Sequence, residues 1–196
     1  MTFGPRRPPP PGAEREDRRP RDRRAQDRRP PRPVTEAYLQ RAVLAYLERF
    51  ASSAENLRRV LRRKVETRCR LRGEEPASFL DLIDPVVARS VSVGLVDDRR
   101  YAEARVASFR RRGASARGIK AKLAAKGVAR ETVETALAEE GDDRTAARAH
   151  ARRRRLGPYR AGDRAAFRQK DLAVLARAGF PFDVAREVID GGIAEL

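Results

Sequence analysis

The chain has little of the chemistry that enzyme sites most often use. It contains one histidine, His150, and one cysteine, Cys69, in 196 residues. A single cysteine excludes an intramolecular disulfide and leaves no cysteine cluster for a metal ion. A Ser-His-Asp triad or a histidine-ligated metal site would need His150, and no partner residue lies near it at suitable spacing. We therefore predict no catalytic residues, no metal site and no cofactor.

Long apolar runs and aromatic residues are also scarce. No run approaches the roughly 18 apolar residues that a membrane-spanning helix needs, and residues 1–6 lack the apolar core of a secretory signal. We therefore expect a cytoplasmic protein. The seven Phe and four Tyr, with no Trp, are too few for a platform on which the bases of a single strand stack.

Charge, in contrast, is abundant and mostly of one sign. The sequence has 45 Lys and Arg against 28 Asp and Glu, and its net charge of +17 favours a polyanionic or acidic partner. Residues 1–33 hold eleven arginines and nine of the 13 prolines, which predicts a disordered basic tail. The tail is either a solubilising extension or a weak, sequence-independent attractor of nucleic acid, and composition does not separate the two.

From Thr35 onward, apolar residues recur at the spacing of amphipathic helices, and no strand-like alternation appears. The sequence therefore predicts an all-α fold with nine helices. Their predicted ranges are Thr35 to Phe50, 54–72, Asp84 to Gly94, Asp97 to about Arg112, Ser115 to Gly127, a helix around Val133 that ends near Gly141, 142–155, 163–178 and 183–190. An earlier start of the third helix near Pro76, with a kink at Pro85, remains open.

Several helix starts carry local signals. Asp97 is a good N-cap, and Asp98 favours the positive end of the helix that follows. Val96 and Tyr101 have the spacing of a hydrophobic staple, which joins the residue before the cap to the fourth helical residue. Asp84 is the predicted N-cap of the third helix.

The sequence also resembles itself. Ser53, Leu57, Leu61 and Lys64 match Ser115, Ile119, Leu123 and Lys126 at an offset of 62 residues. A weaker third copy is indicated at an offset of 52, where Leu175, Gly179 and Phe180 match Leu123, Gly127 and Val128. This pattern predicts three tandem three-helix units, at 34–96, 97–141 and 142–196. For Lys64 and Lys126 we favour a structural role, a snorkelling side chain near a helix end, over ligand contact.

The stretch Gly94-Leu95-Val96-Asp97-Asp98-Arg99-Arg100-Tyr101-Ala102-Glu103, followed by Lys126-Gly127-Val128, resembles the RecX family of bacterial RecA regulators. The stretch Leu57 to Val65 fits the first repeat of that family. The structural motif residues are Asp97, Asp98, Tyr101, Lys126 and Gly127. Val65 departs from the pattern, since it stands where the second repeat has Gly127, and the third repeat lacks the Lys-Gly pair.

The resemblance implies an elongated, curved array of three helix-turn-helix-like repeats. It also implies binding in the groove of the RecA–DNA filament. From the basic surface we further expect contact with DNA, single-stranded or within the filament, through backbone phosphates, and we expect the chain to be a monomer. Family members limit RecA filament growth, ATP hydrolysis and strand exchange, and the resemblance extends these expectations to this chain.

A helical projection places an arc of arginines opposite the apolar stripe of the second helix. This arginine arc consists of Arg58, Arg59, Arg62 and Arg63, and Arg68 extends it. Further candidate contacts with DNA or with the filament are Arg110, Arg111, Arg112, Lys120, Lys122, Arg152, Arg153 and Arg154. We favour phosphate contact over a merely solvated basic face, although an acidic patch on a protein partner is an alternative.

Other functions remain as alternatives. Helices 54–72 and 115–126 could act as recognition helices of a helix-turn-helix transcription regulator, although the arginine arc is poor in the Asn and Gln that read bases. A basic protein associated with RNA or the ribosome is permitted by charge but has no motif. The run Gly113 to Lys120 is not a phosphate-binding loop, because Ile119 separates the glycine from the lysine. The pair Asp97-Asp98 fits helix capping better than metal-dependent nuclease chemistry.

Overall fold

A computed structural model describes residues 31–192, and within this range the chain is helical without strands. The ten α-helices are α1 (Glu36–Leu47), α2 (Ala54–Arg72), α3 (Ala77–Leu80), α4 (Ile83–Ser92), α5 (Asp98–Arg111), α6 (Ala116–Ala124), α7 (Arg130–Ala138), α8 (Asp143–Arg154), α9 (Arg164–Arg177) and α10 (Phe182–Asp190). A short 3-10 helix, Gly157–Tyr159, joins α8 to α9. The predicted all-α class is confirmed. The predicted basic tail lies, up to residue 30, outside the described residues.

The helix starts follow the capping signals in the sequence. An N-cap side-chain oxygen accepts a hydrogen bond from the backbone N–H three residues later, which satisfies one of the donors that a helix start leaves unpaired. The caps that do this are Thr35, Ser53, Asp97, Ser115, Asp142 and Asp163. Six of the nine predicted helices therefore begin where a short polar side chain precedes the apolar pattern.

Three separate hydrophobic cores lie along residues 31–192. Helices α1 to α4 share the first, which includes Leu39, Leu57 and Val87. Helices α5 to α7 share the second, and α8 to α10 share the third. We call these groups repeat 1, repeat 2 and repeat 3. The boundaries 34–96, 97–141 and 142–196 stay predictions as domain limits.

Two predicted helix boundaries are wrong. Helix α1 ends at Leu47, and Phe50 lies beyond it with half of its surface exposed. The N–H groups of Arg49 and Phe50 both bond the Tyr46 carbonyl, so the backbone turns there and leaves the helical path. Helix α4 begins at Ile83, so Asp84 lies in its first turn and does not cap it. Pro85 is therefore the third helical residue, where its missing N–H costs no helical hydrogen bond. The one-turn helix α3 is separate and begins just after Pro76.

The staple expected at the start of α5 also differs from the structure. Val96 and Tyr101 are both buried, but Val96 belongs to the core of repeat 1 and Tyr101 to the core of repeat 2. The two side chains therefore anchor the start of α5 to two repeats, one on each side of the Asp97 cap.

Candidate nucleic-acid interface

The motif residues of the sequence meet where repeat 1 contacts repeat 2. The Ser53 hydroxyl, at the start of α2, donates a hydrogen bond to the carbonyl of Lys126, which follows α6, at 2.5 Å. The carboxylate of Asp98, the first residue of α5, accepts a hydrogen bond from the backbone N–H of Ala54 at 2.8 Å. We call this set of contacts junction 1. The Ser53 hydroxyl is both a donor and an acceptor, since it also accepts a hydrogen bond from the backbone N–H of Asn56.

The same chemistry recurs where repeat 2 contacts repeat 3. The Ser115 hydroxyl, at the start of α6, donates to the Ala178 carbonyl, at the end of α9, at 2.6 Å. The carboxylate of Asp143, the first residue of α8, accepts the N–H of Ala116 at 2.8 Å. We call this junction 2. The starts of α2 and α6, the second helices of repeats 1 and 2, are thus each closed by a carbonyl and a carboxylate of the next repeat.

Two glycines permit this close approach. Gly127 and Gly179 have φ of +73° and +90°, which L side chains rarely adopt. A Cβ on Gly127 would lie 2.2 Å from the Glu55 side chain, and one on Gly179 would lie 2.8 Å from the Ser115 hydroxyl. Each glycine therefore lets its repeat press against the second helix of the preceding repeat.

This packing accounts for the departure at Val65. The described part of the chain has no three-helix unit ahead of repeat 1, so the position of Gly127 needs no close backbone approach there. Val65 is fully buried in the core of repeat 1, and α2 continues past it to Arg72. The second repeat instead ends α6 at Ala124, just before its junction residues.

The lysines differ from the snorkelling role that the sequence suggested. Lys126 lies beyond the last residue of α6, and its ammonium group donates to the side-chain oxygen of Asn56 in repeat 1 at 3.2 Å. Lys64 is exposed in the interior of α2, two turns before its end, so it does not interact with the helix terminus. Lys126 is therefore a contact between repeats.

The arginine arc is partly occupied by contacts within the molecule. Arg58 forms ion pairs with Asp84 of α4 at 2.8 Å and with Glu55 at 3.5 Å. Arg59 pairs with Glu55 and also donates to the carbonyl of Ala125 in repeat 2 at 2.7 Å. Two of the four arginines therefore already have partners, one of them across junction 1.

The other half of the arc is available. Arg62 and Arg63 are exposed and form no hydrogen bond or ion pair with any residue between 31 and 192. Arg68, one turn further along, lies with its guanidinium 3.8 Å from the ring centre of Tyr38, a cation–π contact that orients it. Junction 1 uses the N-terminal end of α2. The exposed cations of this helix that have no partner between residues 31 and 192 lie further along it.

The predicted cations of repeat 2 are mostly engaged. Arg110 has only a tenth of its side chain exposed and pairs with Asp143 of repeat 3, so it is a structural residue of junction 2. Asp143 was not among the predicted site residues, although it lies one residue after a helix cap, as Asp98 does. Lys120 pairs with Glu134 of α7 at 2.9 Å, and Lys122 lies 4.7 Å from the ring centre of Phe109. Both lysines remain exposed at the surface.

Two further arginine clusters flank junction 2. Arg111 and Arg112 are exposed at the end of α5, and an exposed arginine run ends α8, namely Arg152, Arg153 and Arg154. Between the clusters, the His150 ring nitrogen Nδ1 lies 3.1 Å from the Gly113 carbonyl. Gly113 directly follows the first cluster, and His150 precedes the second by half a turn. The structure therefore brings five exposed arginines to one region.

The arginines near His150 help to lower the pKa of its imidazole. Burial lowers the pKa of the imidazole, the hydrogen bond to Gly113 opposes this effect, and Arg154 and Arg153 lower the pKa further. The net direction is downward from the ordinary value of 6.5. Cys69 is fully buried in repeat 1, and burial together with Glu74 and Glu75 raises the pKa of its thiol, against an opposing effect of Arg72.

The helix-turn-helix alternative fits this geometry poorly. A recognition helix presents its N-terminal residues to the edges of bases. The N-termini of α2 and α6 are instead covered by the next repeat, through Asp98 and Asp143. The third helices are not basic either, since α7 has one basic and two acidic residues and α10 has one basic and three acidic residues. Helix α2, with eight basic and two acidic residues, carries the positive surface.

Two further properties of the described residues bear on the kind of protein this is. Between residues 31 and 192, no three His, Cys, Asp or Glu side chains gather in a way that suits a metal ion. In the same range, no helix combines the length and the hydropathy that crossing a bilayer requires. The fold and the junctions define an α-helical repeat protein with exposed clusters of arginine.

Comparisons with known proteins identify the family. The family model described as RecX, second three-helix domain, matches residues 97–137. Regulatory protein RecX of Myxococcus xanthus strain DK1622 is 42% identical over 169 residues, which cover 84% of this chain and 90% of that protein. The RecX of Agrobacterium fabrum strain C58 is 34% identical over 154 residues, 78% of this chain and 82% of that protein. The chain belongs to the RecX family of regulatory proteins.

A solved structure supports the fold. A crystal structure of regulatory protein RecX superposes with a TM-score of 0.57 at 19% sequence identity, covering 80% of this chain and 72% of that one. Another relative, the RecX of Mycobacterium ulcerans strain Agy99, is 37% identical over 147 residues, which cover 70% of this chain and 81% of that protein. The resemblance recognised in the motif around Asp97 and Tyr101 is confirmed.

Proposed function

We propose that this chain regulates the RecA recombinase in the cytoplasm by binding as a monomer in the groove of the RecA–DNA filament. It limits filament growth, ATP hydrolysis and strand exchange, and it does so by binding, without catalysis or a cofactor. Family membership supports the link to RecA, and the exposed arginine clusters support contact with the DNA of the filament. The observation that carries the DNA contact is the exposure of Arg62 and Arg63 without a partner between residues 31 and 192.

The proposed contact is electrostatic. Cations that replace the counterions of DNA phosphates gain affinity that falls steeply with salt, with a slope of about 0.9 per phosphate on duplex DNA and about 0.7 on single strands. The candidate residues fall into two groups, according to whether they already have contacts within the molecule. Arg62, Arg63, Arg111, Arg112, Arg152, Arg153 and Arg154 are exposed and outside the contacts of both junctions. Arg58, Arg59, Arg68, Arg110, Lys120 and Lys122 already have intramolecular contacts.

The experiment that tests the function is ATP hydrolysis by RecA on single-stranded DNA while this protein is titrated from sub-stoichiometric ratios. Inhibition by a few molecules per filament is the expected result. Inhibition that appears only when the protein saturates the DNA would instead indicate competition for DNA by a basic protein. No effect, together with sequence-preferring DNA binding, would favour a transcription regulator.

A paired substitution tests the arginine arc. Because Arg58 and Arg59 hold contacts inside the molecule, reversing all four charges would also disturb junction 1. The cleaner variant is Arg62→Glu with Arg63→Glu, and we expect it to weaken inhibition and to reduce the salt dependence of DNA binding. Arg177→Glu with Arg186→Glu is the matched control, since both residues are exposed in repeat 3 and the change in net charge is the same. Equal loss in both variants would remove the specific role of the arc.

A further inference from the structure

Repeat 1 has an apolar groove that the proposed DNA contact does not use. The groove lies between α1 and α4 and has a volume of about 170 Å³. Its lining residues are Gln40, Val43, Leu44, Val86, Arg89, Ser90, Val93 and Leu95. An apolar cavity of roughly 150 Å³ is large enough to hold benzene, so this groove has room for an aliphatic side chain.

Three large apolar side chains on the walls of this groove are exposed to solvent. Leu44 and Leu95 are each 50% exposed and Val93 is 62% exposed. Single exposed apolar residues are common on protein surfaces, but a group of them around one concavity marks an interaction site. Among the residues that line the groove, Arg89 carries the one charge, and it forms no ion pair within residues 31–192.

The other repeats show that the fold does not need this apolar lining. The offset that aligns Val43 with Val106 places Ala107 opposite Leu44, and the offset that aligns Gly94 with Gly141 places Glu140 opposite Val93. Repeat 2 therefore has a small residue and an acid where repeat 1 has large apolar side chains.

Repeat 3 differs in another way. A groove that α8 and α10 form together with the 3-10 helix has a volume of about 310 Å³, and beside Pro158 and Tyr159 its lining includes the charged side chains of Arg148 and Glu187. These two side chains form an ion pair at 3.5 Å, and Arg144 joins Glu187 at 2.9 Å. The first and last helices of the three repeats thus present different surfaces, and the surface of repeat 1 is the apolar one.

The chemistry of the groove selects a protein as its occupant. Nucleic acid offers no aliphatic side chain of this kind, and residues 1–33 contain few apolar groups beyond Met1 and Phe3. A second copy of the chain would bring together two molecules of net charge +17. Arg89, which has no ion-pair partner between residues 31 and 192, favours a carboxylate beside the apolar side chain of the partner.

We propose that the groove between α1 and α4 is a docking site for a RecA protomer, which inserts an aliphatic side chain and presents an acidic residue to Arg89. This inference rests on the proposed function, since it names the protein surface through which the chain reaches the filament. Repeat 1 then binds protein through the groove and DNA through the available face of α2.

The test compares two single substitutions in the full chain. Leu44→Glu places a charge in the groove at an exposed position of α1. Leu71→Glu is the matched control, because Leu71 is 65% exposed in the same repeat and does not line the groove. We expect Leu44→Glu to weaken binding to RecA, measured with immobilised RecA in the absence of DNA, by at least about tenfold. The control stays within about twofold, and Leu44→Met, which keeps an apolar side chain, binds like the wild type.

The outcomes separate this inference from the proposed function. If the wild type neither binds RecA nor inhibits its ATP hydrolysis, both fall. If the wild type inhibits RecA and Leu44→Glu inhibits equally well, the groove proposal falls and the function stands. Equal loss of RecA binding in Leu44→Glu and Leu71→Glu would show a general charge effect and overturn the groove proposal. A wild-type dimer that Leu44→Glu dissociates would identify a second copy as the occupant and would also overturn it. Two controls address unfolding as the cause of weaker binding. Thermal unfolding followed by circular dichroism compares the stability of each variant with that of the wild type, and Leu95→Glu repeats the test at a second position of the groove.

Discussion

The two junctions share one pair of hydrogen bonds but differ in what surrounds it. Junction 2 adds the buried pair of Arg110 and Asp143, and a close backbone approach of Gly113 to His150. Junction 1 adds the exposed contacts of Arg59 with the Ala125 carbonyl and of Lys126 with Asn56. Exposed charged contacts are weakened by salt and buried ones much less. Repeat 1 is therefore held to repeat 2 less firmly than repeat 2 is held to repeat 3.

The largest difference should appear when the two junction carboxylates are removed. Asp143→Ala leaves the buried guanidinium of Arg110 without its charged partner and with only the Ala114 carbonyl as acceptor, which costs about 3–5 kcal/mol of unfolding free energy. Asp98→Ala removes a hydrogen bond from the Ala54 N–H to a charged acceptor, which costs about 1.5–3 kcal/mol. Urea unfolding followed by circular dichroism measures both. Equal costs would contradict the difference drawn between the junctions, and Asp143→Asn, which keeps an acceptor, isolates the charge.

A second pair of substitutions compares glycines of like backbone conformation. Gly94 and Gly113 have φ of +74° and +70°. Alanine at Gly94 meets nothing within 4 Å, so it costs only the strain of a left-handed backbone, about 1–2 kcal/mol. Alanine at Gly113 also meets the backbone nitrogen of His150 at 2.6 Å, and overpacking adds about 1–3 kcal/mol.

The same unfolding measurement separates these two terms. Gly127→Ala serves as the comparison at junction 1, where the added Cβ would lie 2.2 Å from the Cγ and 2.4 Å from the Cβ of Glu55, and the Glu55 Cβ is fixed by the backbone of α2. We therefore expect Gly127→Ala to cost more than Gly94→Ala and about as much as Gly113→Ala. A Gly127→Ala variant as stable as Gly94→Ala would show that junction 1 opens to admit the added methyl group.

The serines test what the junctions have in common. Ser53→Ala and Ser115→Ala each remove an N-cap and a hydrogen bond to a carbonyl of the next repeat. We expect each to cost about 1–2 kcal/mol, and the two costs to agree within about 0.5 kcal/mol. Thermal and urea unfolding of both variants check this equality. A large difference would show that the contacts around the hydroxyl, and not the shared pair of bonds, determine its contribution.

Much of the fold was predictable because it depends on local signals. The caps Ser53, Asp97 and Ser115 precede apolar residues at helical spacing, and each begins a helix as predicted. The start of α4 was mispredicted because Asp84 and Pro85 fit a helix start in isolation. In the structure the carboxylate of Asp84 pairs with Arg58, which lies 26 residues earlier, and no local pattern encodes that contact.

The candidate site was less predictable for the same reason. A helical projection places Arg59 and Arg63 in one arc, but it does not show that the Ala125 carbonyl of another repeat lies beside Arg59. Arg110 looked like one of three equivalent arginines, and only the tertiary structure buries it against Asp143. The sequence did hold a signal for the junctions. Asp98 and Asp143 each follow an N-cap aspartate, a repetition that marks both as junction residues.

The smallest expected effect is a pH dependence that belongs to junction 2. Burial, opposed by the Gly113 hydrogen bond and assisted by Arg154 and Arg153, lowers the pKa of His150 in the folded chain. As pH falls, His150 of the unfolded chain takes up a proton around its ordinary pKa of 6.5, and His150 of the folded chain does so only at a lower pH. The stability of the fold is therefore fully present above this pH and decreases as pH falls through it.

His150 is the one histidine of the chain, so the effect has a single source in this pH range. The carboxyl groups of Asp142, Asp171 and Asp190 have lowered pKa values, so they titrate well below it. Melting temperatures at pH 7.5 and 5.5 should differ in the wild type and converge in His150→Gln, by less than any substitution above produces. A wild-type difference that survives in His150→Gln would place the titrating group outside junction 2, and the pH dependence would then no longer distinguish the two junctions.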